Sequence, residues 1–340
     1  MSAAFNIDLA DADTFPSRRA EAWKYSDLKR YLREAPEPSA AAEIASTGAF
    51  DGLGGEAIVF ANGRAVGVTD FIASGERTLR LRYVSDAVGT GHTASARVSA
   101  RAGARLLLLE SHEGAGSAYV AHNTLELDVA AGAEVTRVVL VEEPEDAISI
   151  AEAHVKVEAG GVYRQTVITT GAKLQRIETR ITHYAQGAKV QADGLYLLNG
   201  SRHADLTSVV RHVEHDGATS QLIKGVARDT ARGVFQGKIV VERGADGTDA
   251  RMGHHALIAS ERAEIDAKPE LIIYADDVQC AHGNTLGTLD ESALFYMQQR
   301  GIPADEARAL LTQAFLIEVI DRIEHDGARE VAREWLTARL

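Results

Sequence analysis

Two residues with metal and sulfur chemistry stand close together late in the sequence: Cys280, the only cysteine of the chain, and His282. They lie in the run Tyr274-Ala275-Asp276-Asp277-Val278-Gln279-Cys280-Ala281-His282-Gly283. In an extended segment side chains alternate between faces, so a thiol and an imidazole two positions apart point the same way. Both are competent iron or zinc ligands, but an enclosed zinc or iron-sulfur site takes about four protein ligands. The pair therefore needs ligands from elsewhere, or it is not a site and Cys280 is a small buried hydrophobe.

Other candidate groups carry less. His254 and His255 are adjacent, so on a strand they face opposite sides and cannot chelate together; they read as structural or surface groups. Asp276 and Asp277 fail as a glycosidase acid/base pair for the same reason. The sequence has no phosphate-binding Gly-x-x-x-x-Gly-Lys-Ser/Thr loop, no Gly-x-Ser-x-Gly elbow and no His-Glu-x-x-His helix, so ATP hydrolysis would have to come from another chain.

Elements of some kind must position Cys280 and His282. With 340 residues, 45% of them hydrophobic, the chain can bury a substantial core. A formal net charge of -13 argues against a sequence-independent nucleic-acid binder, which needs a basic surface. No run of about 18 apolar residues could span a bilayer, and the first thirty residues lack a signal-peptide pattern. One cysteine fits a reducing compartment, and the expectation is a soluble, cytoplasmic protein.

Between about residues 95 and 290 the sequence repeats a turn. Gly103, Gly132, Gly160, Gly187, Gly217 and Gly244 follow one another at intervals of 27 to 30 residues. Each follows an alternating apolar stretch such as Leu125-Glu126-Leu127-Asp128-Val129. Strand, glycine turn and strand at constant spacing describe a right-handed parallel β-helix, a solenoid of β coils. The competing account is a β-sandwich with regular hairpins, and either requires further turns that the sequence does not mark.

The ends read as helical caps on a β-helix core spanning 56–289. Residues 1–55 hold a short helix over Pro16–Tyr25 with Ser17 as N-cap, a second turn started by Ser26, and a linker over 33–55. Residues 290–340 hold a helix capped by Asp290 and stopped at Gly301, then a helix opened by Pro303 and ended by Gly327, then an amphipathic turn or two over Ala328–Leu336.

The block Ala267-Lys268-Pro269-Glu270-Leu271-Ile272-Ile273 through Gly283, followed by Leu294-Phe295-Tyr296-Met297-Gln298-Gln299-Arg300-Gly301-Ile302, resembles the C-terminal signature of the SufB/SufD family of iron-sulfur cluster assembly proteins. Arg19-Ala20-Glu21-Ala22-Trp23-Lys24-Tyr25-Ser26-Asp27-Leu28 is similar to that family's opening helix. Ile272, Asn284 and Leu286 depart mildly from the pattern, and Gln279 replaces a common Lys, which removes a positive charge beside the thiol. The single cysteine resembles the D-type member.

The resemblance implies a non-catalytic scaffold that pairs through its β-helix with a SufB-like paralogue. It implies binding of a SufC-like ATPase through the C-terminal helices, with Phe295, Arg300, Gly301 and Phe315 in that contact. His282, with Cys280, would contribute to a transient iron-sulfur cluster at the interface with the partner, and ATP-driven movement would open or close that site. An open β edge also makes a homodimer of the isolated chain reasonable. The alternatives are a β-helix carbohydrate-active enzyme, which would line an outer groove with carboxylates, and a passive docking solenoid in which Cys280 and His282 are inert.

Overall fold

A computed structural model describes residues 6–44 and 47–340; Ala45 and Ser46 of the expected linker lie outside the described residues. The first coil holds β1 (Glu56–Ala61), β2 (Arg64–Val66) and β3 (Asp70–Ala73). Long strands then succeed one another: β4 (Glu76–Ser85), β5 (Gly91–Ala100), β6 (Arg105–Gly114), β7 (Val120–Val129), β8 (Glu134–Glu142), β9 (Ile148–Val157), β10 (Val162–Thr169) and β11 (Leu174–His183). The series continues with β12 (Lys189–Leu198), β13 (His203–His212), β14 (Ala218–Ala227), β15 (Arg232–Val241), β16 (Thr248–Ile258), β17 (Glu264–Ile273) and β18 (Val278–Gly287). Even-numbered strands from β4 onward stack with β1 and β2 into one sheet of ten, and odd-numbered strands from β3 form a second sheet of eight. All pairs are parallel except β1 with β2. The result is a two-sheeted parallel β-solenoid of about 8 turns, not a sandwich of hairpins.

The regular spacing read from the sequence is the coil length. Val120 stacks on Ile148, and Glu134 on Val162, each 28 positions along. The glycine turns connect an odd strand to the next even one, and Gly103, Gly132, Gly160, Gly187 and Gly244 all adopt positive φ there. Gly217 does not: Asp216 takes the left-handed conformation instead, with φ of 60°. Gly217 is small for a different reason, since a Cβ would lie 2.5 Å from His212 Nδ1. The turns that the sequence left unmarked run from even to odd strands, as over 115–119 and 170–173.

Side chains at alternate positions fill the space between the sheets: Leu106 and Leu108, Leu125 and Leu127, Ile177 and Ile181, Phe235 and Ile239. The interior also holds ions. Arg137 donates to Glu110 and to Gln165, and His112 Nε2 lies 2.8 Å from Glu110 Oε1. All four residues are buried, so this network stands because each charge has a counter-charge and hydrogen bonds.

Both outer faces are partly covered. The N-terminal segment lays Phe15, Trp23 and Leu28 over Val120, Ile148 and Ile150 of the eight-stranded sheet. Its helix is shorter than the sequence suggests: a single 3-10 turn over Glu21–Trp23 without a side-chain cap, followed by α1 (Leu28–Tyr31) capped by Asp27. The reason is tertiary, because Trp23 is drawn onto the Arg176 guanidinium and Ser26 donates to Asp205. At the other end come α2 (Glu291–Gln299), capped by Asp290 as expected, α3 (Ala304–Asp321) after Pro303, and α4 (Asp326–Thr337). Leu316, Val319, Ile320 and Trp335 pack on Leu195, Leu197 and Leu222 of the ten-stranded sheet. Gly327 does not end α3, as the sequence suggests. It sits in the first turn of α4, where a Cβ would lie 2.7 Å from Leu53 Cδ2.

Candidate functional site

Among the described residues no strand covers the two strand edges of the last coil. β18 is outermost in the ten-stranded sheet and pairs with β16, and β17 is outermost in the eight-stranded sheet and pairs with β15. Parallel register places Cys280 on Ala250, His282 on Met252 and Asn284 on His254. Cys280 packs against the interior apolar cluster, and Asn284 Oδ1 meets the buried His254 ring. His282, between them in the alternation, therefore shares the face that looks into the end of the solenoid. The thiol is half-buried and the imidazole exposed. Burial, with the nearby Asp249 charge adding to it, pushes the Cys280 thiol above its ordinary value, so it is protonated at neutral pH.

Among the described residues no three His, Cys, Asp or Glu side chains are gathered so as to hold a metal ion. Cys280 and His282 are two groups on one strand, as their spacing predicts. Asp276 and Asp277 lie in the loop before β18, where both backbone N–H groups approach Asp246 Oδ1 at 3.3 and 3.4 Å. His254 and His255 split between faces: the first is buried in the interior, the second bonds Thr285.

The other predicted residues fall on the C-terminal helices. Phe295 and Tyr296 are 64% and 58% exposed on α2, and the Arg300 guanidinium stacks 5.0 Å from the Tyr296 ring. Arg300 is the C-cap of α2 and Gly301 follows with φ of 85°, the left-handed stop of the helix. Phe315 sits apart from these on α3, half-buried, with the Lys224 ammonium 4.5 Å over its ring and bonded to its carbonyl.

Sequence reasoning missed the polar chain behind β18. Tyr196 OH lies 2.9 Å from His254 Nε2, and His254 Nδ1 lies 2.7 Å from Asn284 Oδ1. The one available signal was that His254 and Asn284 are 30 positions apart, one coil length. It also missed the anchor of the N-terminal segment, in which Arg176, Glu178, Asp205, His203 and Ser26 form one buried network.

A groove of about 420 Å³ crosses the outer face of the eight-stranded sheet beside Glu21 and Tyr274. Each of its carboxylates is engaged by a cation: Glu178 by Arg176 and Arg180, Glu242 by Arg211, Glu270 by Lys238, and Glu21 by Lys268. It therefore offers no uncommitted acid/base pair.

The SUF system FeS cluster assembly, SufBD core domain, matches residues 83–315, more than half of the chain and all of the solenoid from β4 onward except its first seven residues. The chain belongs to the SufBD family. It is 33% identical over 214 residues to an iron-sulfur cluster assembly SufBD family protein of Synechocystis, covering 63% of this chain and 47% of that protein. It is also similar to iron-sulfur cluster assembly proteins SufD of Escherichia coli, 39% identical over 32% of this chain and 26% of the relative, and of Bacillus subtilis, 30% identical over 43% and 34%. The matched stretches thus span less than half of these SufBD proteins' own lengths. Among the described residues no helix is long and apolar enough to cross a membrane.

Proposed function

We propose that this chain is a D-type scaffold subunit of a cytoplasmic SUF iron-sulfur cluster assembly complex, without catalytic chemistry of its own. The observation that carries this reading is the end of the solenoid, where among the described residues two strand edges have no strand partner and one of them carries a thiol and an imidazole that are too few to enclose an ion. A SufB-like paralogue adding its own coil there would satisfy the exposed backbone groups and supply the missing ligands. The transient cluster is then cargo shared across the interface, with His282 as the ligand from this side and Cys280 beside it. A second copy of the chain takes the same edge when the paralogue is missing.

The exposed Phe295 and Tyr296, with Arg300 and Gly301 at the end of the same helix, form the contact for a SufC-like ATPase, and Phe315 supports it from α3. The test is co-purification of this chain with SufB-like and SufC-like proteins from the same source. Anaerobic cluster formation, followed by visible absorption, is compared between wild type and His282→Ala. A complex that forms but no longer builds clusters supports the reading. A complex that builds them equally well leaves a docking solenoid, and no complex at all overturns the proposal.

A further inference from the structure

Cys280, His282 and Asn284 occupy successive same-face positions on β18, and the third has no part in the reading above. Its geometry is constrained from behind. An amide oxygen only accepts, so the 2.7 Å contact requires that His254 Nδ1 carries a proton and donates to Asn284 Oδ1. Burial holds His254 neutral down to about pH 4, so its Nε2 is a lone pair, and the Tyr196 hydroxyl donates to it over 2.9 Å. The chain Tyr196 to His254 to Asn284 therefore has a single direction, and it ends on the amide oxygen.

The ring has little freedom to turn. Phe235 stacks on His254 with centroids 5.1 Å apart, and both are buried. Tyr196 is held where Gly225 and Gly233 leave space, since a Cβ at either would strike its ring. With Oδ1 committed, the Asn284 NH2 group keeps both protons, and none of the hydrogen bonds among the described residues uses them. The side chain is exposed at the open end of the solenoid, on the face that carries the thiol and the imidazole.

We propose that Asn284 is a further binding residue of the terminal coil, a hydrogen-bond donor held by His254 and Tyr196 toward anionic sulfur on the cargo. This rests on the reading of the coil as a cluster-assembly edge. Amide N–H donors to sulfide or thiolate sulfur stabilise the added electron of an iron-sulfur centre and raise its potential. His254 and Tyr196 act through Asn284 and are positioning residues.

The test uses the reconstituted complex with SufB-like and SufC-like partners, loaded anaerobically from ferrous iron and sulfide. Asn284→Asp keeps an oxygen for His254 while removing the donor, and Asn284→Ala removes the donor without adding charge. Both variants should lose the cluster to a chelator about tenfold faster than wild type, the scale of one hydrogen bond to a charged acceptor. The cluster's reduction potential should move negative in Asn284→Ala. Imidazole NMR and the thermal midpoint of the isolated chain should show His254 still bonded and the fold intact in Asn284→Asp. Unchanged retention and potential in both variants would overturn the inference, as would a loss confined to Asn284→Asp, which reflects charge alone. His282→Ala is measured alongside: clusters retained there too would sink the reading of the whole coil, whereas clusters lost there and kept in both Asn284 variants would sink the role of Asn284 alone.

Discussion

Arg322, the C-cap of α3, donates from Nε to Asp193 Oδ2 over 2.7 Å, and this joins the helical region to the solenoid through a carboxylate that is fully buried. Burial pushes Asp193 up to about 6, against the pull of Arg322, Gln191 and the Leu222 N–H. A folded-state pKa above the unfolded one means that the contribution of Asp193 is complete below about pH 4 and is lost as pH rises through 6. Arg322→Ala removes the ion-pair partner and raises that pKa further. The variant should lose about 2 kcal/mol at pH 7.5, a figure discounted because Arg322 is itself partly exposed, and much less at pH 4. Urea unfolding at the two pH values checks it.

Five histidines, His92, His183, His203, His212 and His254, are buried, and burial lowers them to about 4, 3, 4, 4 and 4. Each folded-state pKa lies below the unfolded value, so stability is present in full above about pH 6.5 and falls as pH drops toward 4. The slope should reach about 1.4 kcal/mol per pH unit for each histidine that must stay neutral. Denaturation midpoints at pH 7.5, 6 and 5 should fall progressively. A flat profile would show that these rings are not neutral in the folded chain.

Gly132 and Gly217 occupy equivalent turns for different reasons, which separates their variants. Gly132 has φ of 64° and open space around it, so Gly132→Ala should cost about 1 kcal/mol and Gly132→Asn only a few tenths. Gly217 lacks the positive φ but stands against His212 and His183, so both Ala and Asn there should cost about 1–3 kcal/mol by overpacking. Thermal midpoints of the four variants give the comparison.

Removing His282 should not unfold the protein. Its imidazole is exposed on a terminal strand, and none of the hydrogen bonds found among the described residues involves it. His282→Ala should therefore change stability by less than about 0.5 kcal/mol. Phe295→Ala should do the same to the isolated chain while weakening capture of a SufC-like ATPase by about tenfold or more, measured by titration calorimetry.

The coil was legible in the sequence because its determinants are local. A glycine turn and an alternating strand recur within each coil, and their spacing is the stacking distance along the chain, as Glu134 on Val162 shows. The shared face of Cys280 and His282 was legible for the same reason, since the two-residue period of a strand needs no partner to define it. The Asp290 cap and the stop at Gly301 are equally local.

Contacts between coils, and between the coils and the terminal helices, were decided only in three dimensions. Ser26 meets Asp205, and Arg322 meets Asp193, across more than a hundred positions. Their meeting depends on how each strand stacks on the next, and a one-residue slip of that pairing would turn the strand's side chains to the opposite face. Gly217 looked like its neighbours in sequence but is set by the His212 ring, and Asn284 acquires its orientation from His254 and Tyr196 one and three coils away. Repetition built the solenoid from local rules, while packing between distant segments decided which of its side chains were held in place and which were left exposed.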